Sequence, residues 1–557
     1  MKLNVTKKEL LNTLNQLADL SEFAGENQFK VRAYRNAVNA LRYINDDFEK
    51  IIETNELLKV KGIGKGIFAT IKEIFENGYS SELLSLKEKA PEGIDDLLQI
   101  RGLGIKKLIL LNKELQVENL DDLTEVIESG KLSEIKGFGE KSIEKIKTEI
   151  NRIITTKHLL LLDEAFEVAD SLKKEIESFP GVIKVELTGQ LRRILEIISR
   201  IDLLVLVNEN SKKECLDNLR DSFIIAEENI RDEVTVLRIS AEKEREIYLH
   251  IVTREEEFTK ENFLLTGSEY FISKFADLSN NFKSEDEIFS ANKIRFVAPE
   301  MREEETENIL KRDSSPSDLD FPGMKAMLHF HTVYSDGANS LEEMVLSGKE
   351  NGFEYFAVCD HSKSAFYANG LTEERLIEQH DEITALREKL GVEIFHGIES
   401  DILKDGSLDY SDEILAGFDF IIASVHSNFN LSEEEMTARI IKAIESPFLN
   451  AIGHPTGRLL LRRDGYKLNI RKILDACAAN NTAIEINANP HRLDLDWRNY
   501  DYAREKGALF TINADAHATS HIEYTKYGVM IARKGGIKKS EVINYFSLEQ
   551  FNEFISR

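Results

Sequence analysis

Phe356-Ala357-Val358-Cys359-Asp360-His361 reads as four apolar residues that run straight into a carboxylate and an imidazole. The run has the length and composition of a buried strand. Side-chain types that bind divalent metals follow it at once. The pattern recurs at Phe420-Ile421-Ile422-Ala423 before Ser424-Val425-His426, and at Leu509-Phe510-Thr511-Ile512 before Asp515-Ala516-His517. Four more clusters lie in the same third of the chain: His329-Phe330-His331, Ser335-Asp336-Gly337, Gly397-Ile398-Glu399 and Gly453-His454-Pro455. A β/α barrel collects its active site at the C-terminal ends of its strands. Residues 324–557 also alternate apolar runs with helical patterns, which predicts a barrel or layered α/β fold. The clusters predict a multinuclear hydrolytic metal site.

Upstream, residues 301–323 are acidic and contain Ser314-Ser315-Pro316-Ser317, the composition of a linker. Residues 151–300 carry strand-like runs at 182–187, 202–207, 235–239 and 247–252, which predicts an α+β segment. Residues 1–150 read as all-helical, with apolar residues at Leu10, Leu11, Leu14 and Leu17. One pattern repeats there three times: Lys61-Gly62-Ile63-Gly64-Lys65, Arg101-Gly102-Leu103-Gly104-Ile105 and Lys136-Gly137-Phe138-Gly139-Glu140. Each copy joins two amphipathic segments. Glycine permits positive φ and close backbone approach, and the N–H groups of the following helix start attract phosphate. The three turns resemble helix-hairpin-helix motifs, which hold the DNA backbone without reading sequence. Gly62, Gly64, Lys65, Gly102, Gly104, Gly137 and Gly139 are the expected contact residues.

Composition narrows the classes. The 557 residues are 42% hydrophobic and 31% charged, enough for several globular domains. No stretch approaches 18 apolar residues, so no membrane partner is expected and a cytoplasmic, nucleoid-associated location is. Cys215, Cys359 and Cys477 are too scattered for a disulfide framework or a cysteine zinc module. The net charge of −27 is unfavourable for a nucleic-acid binder, but it is uneven. Residues 1–150 carry 23 Lys and Arg against 26 Asp and Glu, close to balance.

With Phe29-Lys30-Val31-Arg32-Ala33-Tyr34-Arg35, the three turns, the α+β segment, Gly453-His454-Pro455-Thr456-Gly457-Arg458-Leu459-Leu460 and Glu485-Ile486-Asn487, the whole chain resembles a bacterial family X DNA polymerase fused to a PHP (polymerase and histidinol phosphatase) domain. The resemblance implies a multidomain fold: an all-α helix-hairpin-helix region, an α+β nucleotidyltransferase-like palm and thumb, and a distorted (β/α)7 barrel. It implies nine metal ligands, His329, His331, Asp336, His361, Glu399, His426, His454, Asp515 and His517. They would hold three ions of Mn²⁺, Zn²⁺ or Fe²⁺, with Glu399 bridging two. Met327 stands where many relatives have an acid that is not a ligand. Glu399, His426, Asp515 and Arg458 are the expected catalytic residues. Arg458 and Arg492 are expected on phosphate, and Asp360 as a support for a ligand imidazole or as a helix cap.

The polymerase part departs from the family. Three carboxylates hold two Mg²⁺ ions in the family pattern. Here those positions read Arg200, Asp202 and Tyr248, and the Gly-Ser turn reads Gly189-Gln190 before Arg192-Arg193. Thr266-Gly267-Ser268 matches the family. The position of the family's Schiff-base lysine falls at Thr70, with Lys65 and Lys72 nearby. The leading expectation is a metal-dependent 3′–5′ DNA exonuclease or 3′-end-processing phosphodiesterase acting in DNA repair on primed, gapped or 3′-ended duplex. It needs no small-molecule cofactor, and its polymerase activity is lost. One alternative is an active polymerase with a PHP exonuclease, in which an acid such as Glu196 supplies a missing ligand. Others are a small-molecule phosphatase of the histidinol-phosphate type and a catalytically silent DNA-binding scaffold.

Overall fold

The computed structural model describes residues 7–42, 51–52, 54–231, 233–241, 245–278, 282–303 and 317–556. Most of the expected linker, 304–316, lies outside them. The described chain forms two compact units, Met1–Lys157 and His158–Arg557.

In the first unit every element among the described residues is a helix. Helix Lys7–Phe23 buries Leu10, Leu14 and Leu17 among Tyr34, Val38 and Leu41. Each Gly-x-Gly turn has the same construction. The first glycine has positive φ (Gly62 105°, Gly102 84°, Gly137 101°). The residue between the glycines, Ile63, Leu103 or Phe138, is buried. The second glycine is the extended N-cap of a helix that starts at Lys65, Ile105 or Glu140. A Cβ on Gly64, Gly104 or Gly139 would meet nothing within 4 Å, and their φ values suit any residue. Neither packing nor backbone geometry therefore requires glycine at those three positions.

The second unit holds a five-stranded sheet and a seven-stranded barrel. The sheet strands are β1 (Val182–Thr188), β2 (Arg200–Val207), β3 (Ile225–Arg231), β4 (Val234–Ile239) and β5 (Glu246–Val252), in the order β1-β2-β5-β4-β3. Only β2 and β5 pair in parallel, with Asp202 opposite Tyr248.

The barrel strands are β6 (Ala326–Met327), β7 (Tyr355–Val358), β8 (Glu393–Asp401), β9 (Phe420–Ser424), β10 (Ala451–Ile452), β11 (Ala483–Asn487) and β12 (Phe510–Asn513). They pair in parallel in chain order. A bridge between Phe330 and Ala516 brings the first and last strand ends together. Leu328, Ala357, Phe395, Phe420 and Ile422 fill the lumen below the site.

One apolar core runs from the sheet segment, through Leu162, Ala165 and Leu203, to the outer layer of the barrel. Lys534 pins the two together. Its fully buried ammonium donates to the Arg193 carbonyl (2.7 Å), the Glu300 carbonyl (3.0 Å) and Glu303 (2.7 Å). Ser317 donates to the Ile537 carbonyl, so chain on both sides of 304–316 is packed on the barrel. Among the described residues no helix is long and apolar enough to cross a membrane.

Candidate metal centre

The barrel explains why the clusters meet. A buried parallel strand spends its length on apolar packing, and the polar residues follow at its C-terminal end. Phe330 and Ala516 pair across the closure, which sets His329 and His331 beside Asp515 and His517. His361 follows β7, Glu399 lies in β8, His426 follows β9 and His454 follows β10.

Three groups have ligand atoms close enough to share an ion: His331, Asp336, His361 and His517; His329, His331 and Asp515; and His361, Glu399 and His426. Only His454 of the nine expected positions is outside them. Its Nε2 lies 3.0 Å from Glu399 Oε1. Glu399 is the hub. His361 Nδ1 is 2.9 Å from its Oε2, His426 Nε2 is 3.4 Å from Oε1, and His329 and His331 are each 3.7 Å away.

These side chains fit metal ions better than they fit one another. Glu399 Oε2, His361 Nδ1 and His454 Nδ1 are buried with no hydrogen-bond partner, although buried polar atoms are normally paired. His454 and Asp515 have φ of 23° and 52°, a conformation that costs non-glycine residues energy and clusters at functional sites.

The charges are tightly coupled. Burial opposes a charge on His329, yet Glu485, Asp515 and Glu399 hold its pKa well above the ordinary value. Burial likewise opposes protonation of His426, but Glu399 and Asp401 raise it to about 10. His331 goes the other way, to about 3, because of its burial and its neighbours His517 and His361. Glu399 is held well below the carboxylate range, its burial outweighed by His426, His361 and His329. Such a site binds cations at the expense of protons.

Two carboxylates outside the expected set support the imidazoles. Glu485 Oε1 is 2.6 Å from His329 Nδ1, and its Oε2 accepts from the His454 backbone N–H at 2.6 Å. Asp401 Oδ1 is 2.5 Å from His426 Nδ1. The sequence carried a signal for Glu485, an acid between Ile484 and Ile486 within a strand; Asp401, after Glu399-Ser400, carried none of that kind.

Asp360 does neither of the things expected of it. Its carboxylate accepts from Thr332 N, Thr332 Oγ1, Ser335 Oγ and Gln379, and so fixes the turn after His331. Arg458 also departs from expectation. Its guanidinium is taken up by Asp496 (2.7 Å) and the carbonyls of Arg492 and Leu493. Arg492 is the arginine at the centre, with Nε 3.8 Å from Asp515 and a buried Nη1 that has no partner.

At the sheet, the side chains of Arg200, Asp202 and Tyr248 are brought together. Arg200 lies 2.6 Å from Asp202 Oδ1 and stacks 3.9 Å over the Tyr248 ring. His250 Nε2 reaches the same Asp202 oxygen at 2.9 Å. Arg192 is bound to Glu285, Arg193 to Glu303 and the Thr266 carbonyl. Gln190 is engaged with Ser199 and the Arg200 N–H. Glu196 faces Arg498 (3.3 Å) and Arg458 (3.8 Å) rather than Asp202. In the helical unit, Thr70 donates to the Gly66 carbonyl, Lys65 is exposed and Lys72 pairs with Glu76.

Known proteins resemble this chain in part and in whole. Residues 5–80 match the helix-hairpin-helix domain model and residues 327–489 the PHP domain model. A "DNA polymerase/3'-5' exonuclease PolX" of Bacillus subtilis is 34% identical over 99% of this chain and 99% of its own length. A probable phosphatase of Acetivibrio thermocellus is 28% identical over 41% of this chain and 94% of its own. A probable phosphatase of Caldicellulosiruptor bescii is 31% identical over 28% of this chain and 63% of its own.

Proposed function

Because the chain belongs to the family X DNA polymerase/3′–5′ exonucleases with helix-hairpin-helix and PHP domains, we propose that its barrel centre removes nucleotides from DNA 3′ ends. The observation that carries this reading is the convergence of imidazoles from four strand ends on one buried carboxylate, Glu399.

The nine expected ligands would hold three divalent ions, Mn²⁺, Zn²⁺ or Fe²⁺. When bound, such ions ionise a water near neutral pH and neutralise charge on phosphoryl oxygens. The chain's own residues do the rest. Glu485 and Asp401 engage the Nδ1 atoms of His329 and His426, which turns each Nε2 toward Glu399. Arg492 offers its unpartnered Nη1 to a phosphate oxygen. The open glycine turns let the DNA backbone approach the helix starts in the first unit. Arg492→Lys is expected to lower exonuclease kcat about 10²-fold, the usual cost of one charge-stabilising contact. Arg458→Lys is expected to leave kcat within a fewfold and lower the melting temperature instead. Steady-state kinetics on a labelled primer, beside thermal melts, would check the contrast.

The Bacillus subtilis relative is named as polymerase and exonuclease together, and that likeness favours the two-activity reading over exonuclease alone. A second reading, loss of nucleotidyl transfer, is favoured by one observation. Asp202 is the single carboxylate of the expected three, and Arg200 and His250 already occupy it. One carboxylate does not offset two divalent ions, and a guanidinium adjoins the place they would take.

One experiment tests both readings. A labelled primer on a longer template is incubated with Mn²⁺, with and without dNTPs, using wild type and His329→Ala. Shortening that His329→Ala abolishes supports the barrel exonuclease. Extension with dNTPs supports the two-activity enzyme and removes the second reading. Shortening without extension supports the second. A primer left unchanged under all conditions overturns the exonuclease proposal.

A further inference from the structure

The mouth of the barrel carries apolar and basic surface that the metal centre does not use. Phe366 and Tyr367 form a short helical turn after β7 and are 87% and 71% exposed, respectively. Side by side on one turn, the two rings make an exposed apolar patch rather than a single exposed side chain. The Tyr367 ring lies 6.2 Å from that of His361 and 6.4 Å from that of His426.

On the loop that leaves His426, Phe429 stacks on Tyr466 with ring planes 9° apart, and Arg463 lies 4.7 Å over the Phe429 ring. The three line a groove of about 600 Å³ together with Lys467. The groove is tied to the loop that carries His454. Tyr466 donates to the Pro455 carbonyl (2.8 Å), and Arg463 to that of Gly457 (2.7 Å). Phe429 is three positions beyond His426, a reach of at most about 11 Å.

Charge points the same way. Residues 458–472 hold six basic residues and one acid, in a chain of net charge −27. Arg462, Arg463, Lys467, Arg471 and Lys472 are exposed. A cationic groove with aromatic rings is how proteins hold single-stranded nucleic acid: phosphates follow the charge and bases stack on the rings. A duplex end offers its bases already stacked and has no use for the rings.

We propose that this surface is a single-strand track for DNA. The 3′-terminal base stacks on Phe366 and Tyr367, and the strand runs past His426 into the Phe429–Arg463–Lys467 groove, leaving its last phosphodiester over the centre. The proposal rests on the exonuclease reading for its direction but is tested separately from it.

The test uses the full-length, metal-loaded protein and DNA with a single-stranded 3′ overhang. Terminal phosphorothioate linkages slow cleavage, and 2-aminopurine occupies the 3′ position. Wild type quenches the fluorescence of the terminal probe, and a Phe366→Ala/Tyr367→Ala double variant does not. Both rings are exposed, so the variant keeps its fold, and a Phe366→Tyr/Tyr367→Phe control restores quenching. On ordinary overhangs the alanine variant raises KM about tenfold or more. Lys467→Glu raises KM and flattens its salt dependence.

Equal quenching by wild type and the alanine variant overturns the track, as does equal degradation of blunt and overhanging ends. Quenching without cleavage in any metal sinks the exonuclease reading and leaves the track standing. Cleavage that none of these variants alters sinks the track alone.

Discussion

Glu399→Gln is expected to remove exonuclease turnover by about 10³-fold or more, since losing one charge-stabilising contact costs about 10²–10³ and this side chain makes several. Both its oxygens face imidazoles. Oε1 is within 3.4 Å of His426 and His454, and Oε2 within 2.9 Å of His361. Glutamine keeps the shape, withdraws the negative charge and turns an N–H₂ group on at least one imidazole nitrogen. The bound metal content should fall with the activity, and elemental analysis of the purified variant reads this directly. Full metal occupancy together with wild-type turnover would remove Glu399 from the centre. Asp401→Asn is the graded companion. Supports of a ligand imidazole are worth about 10–100-fold in affinity or activity, so its loss should be partial.

Lys534→Met should cost about 3–5 kcal/mol of stability, the usual penalty for removing one partner of a buried ion pair. The lysine is 1% exposed, and Glu303 is 8% exposed. Burial pushes the Lys534 pKa down, against the pull of Glu303. Methionine fills similar space, so packing over Trp497 is largely kept while two carbonyls lose their donor and Glu303 loses one of its two cations, keeping Arg193. Denaturant titration is expected to show the loss, or to split unfolding of the second unit into separate sheet and barrel steps. Adding Glu303→Leu should restore only part of the stability, because it removes the under-compensated charge but also takes a carboxylate from Arg193. A Lys534→Met protein within about 1 kcal/mol of wild type would mean that the apolar core alone joins the two parts.

What could be read from the chain depended on periodicity. The strand-end clusters were legible because each barrel strand is apolar to its end and its ligands follow. The three glycine turns were legible because they repeat. Edge strand β3 was not: Ile225-Ala226-Glu227-Glu228-Asn229-Ile230-Arg231 is mostly exposed, has no apolar alternation, and is a strand only because β4 pairs with it. Loop arginines were not legible either. Spacing placed Arg458 and Arg492 alike beside the centre, but the chain turns one guanidinium onto Asp496 and the other toward Asp515. The support from Asp401 is a matter of register. It lies two residues beyond Glu399 on the same strand face, visible once β8 is known to run that far. Lys534 in its run Ala532-Arg533-Lys534 looks like any basic helix end, and only tertiary packing buries it.

The joint between sheet and barrel also shapes what inheritance can change. Arg200, Asp202 and Tyr248 are not among the partners of Lys534 or the residues of the shared apolar core. Substitutions can accumulate at these three without loosening the barrel. Deleting the sheet, by contrast, would strip the barrel of a wall. A lineage of such proteins can therefore vary at those three positions while remaining bound to carry the sheet.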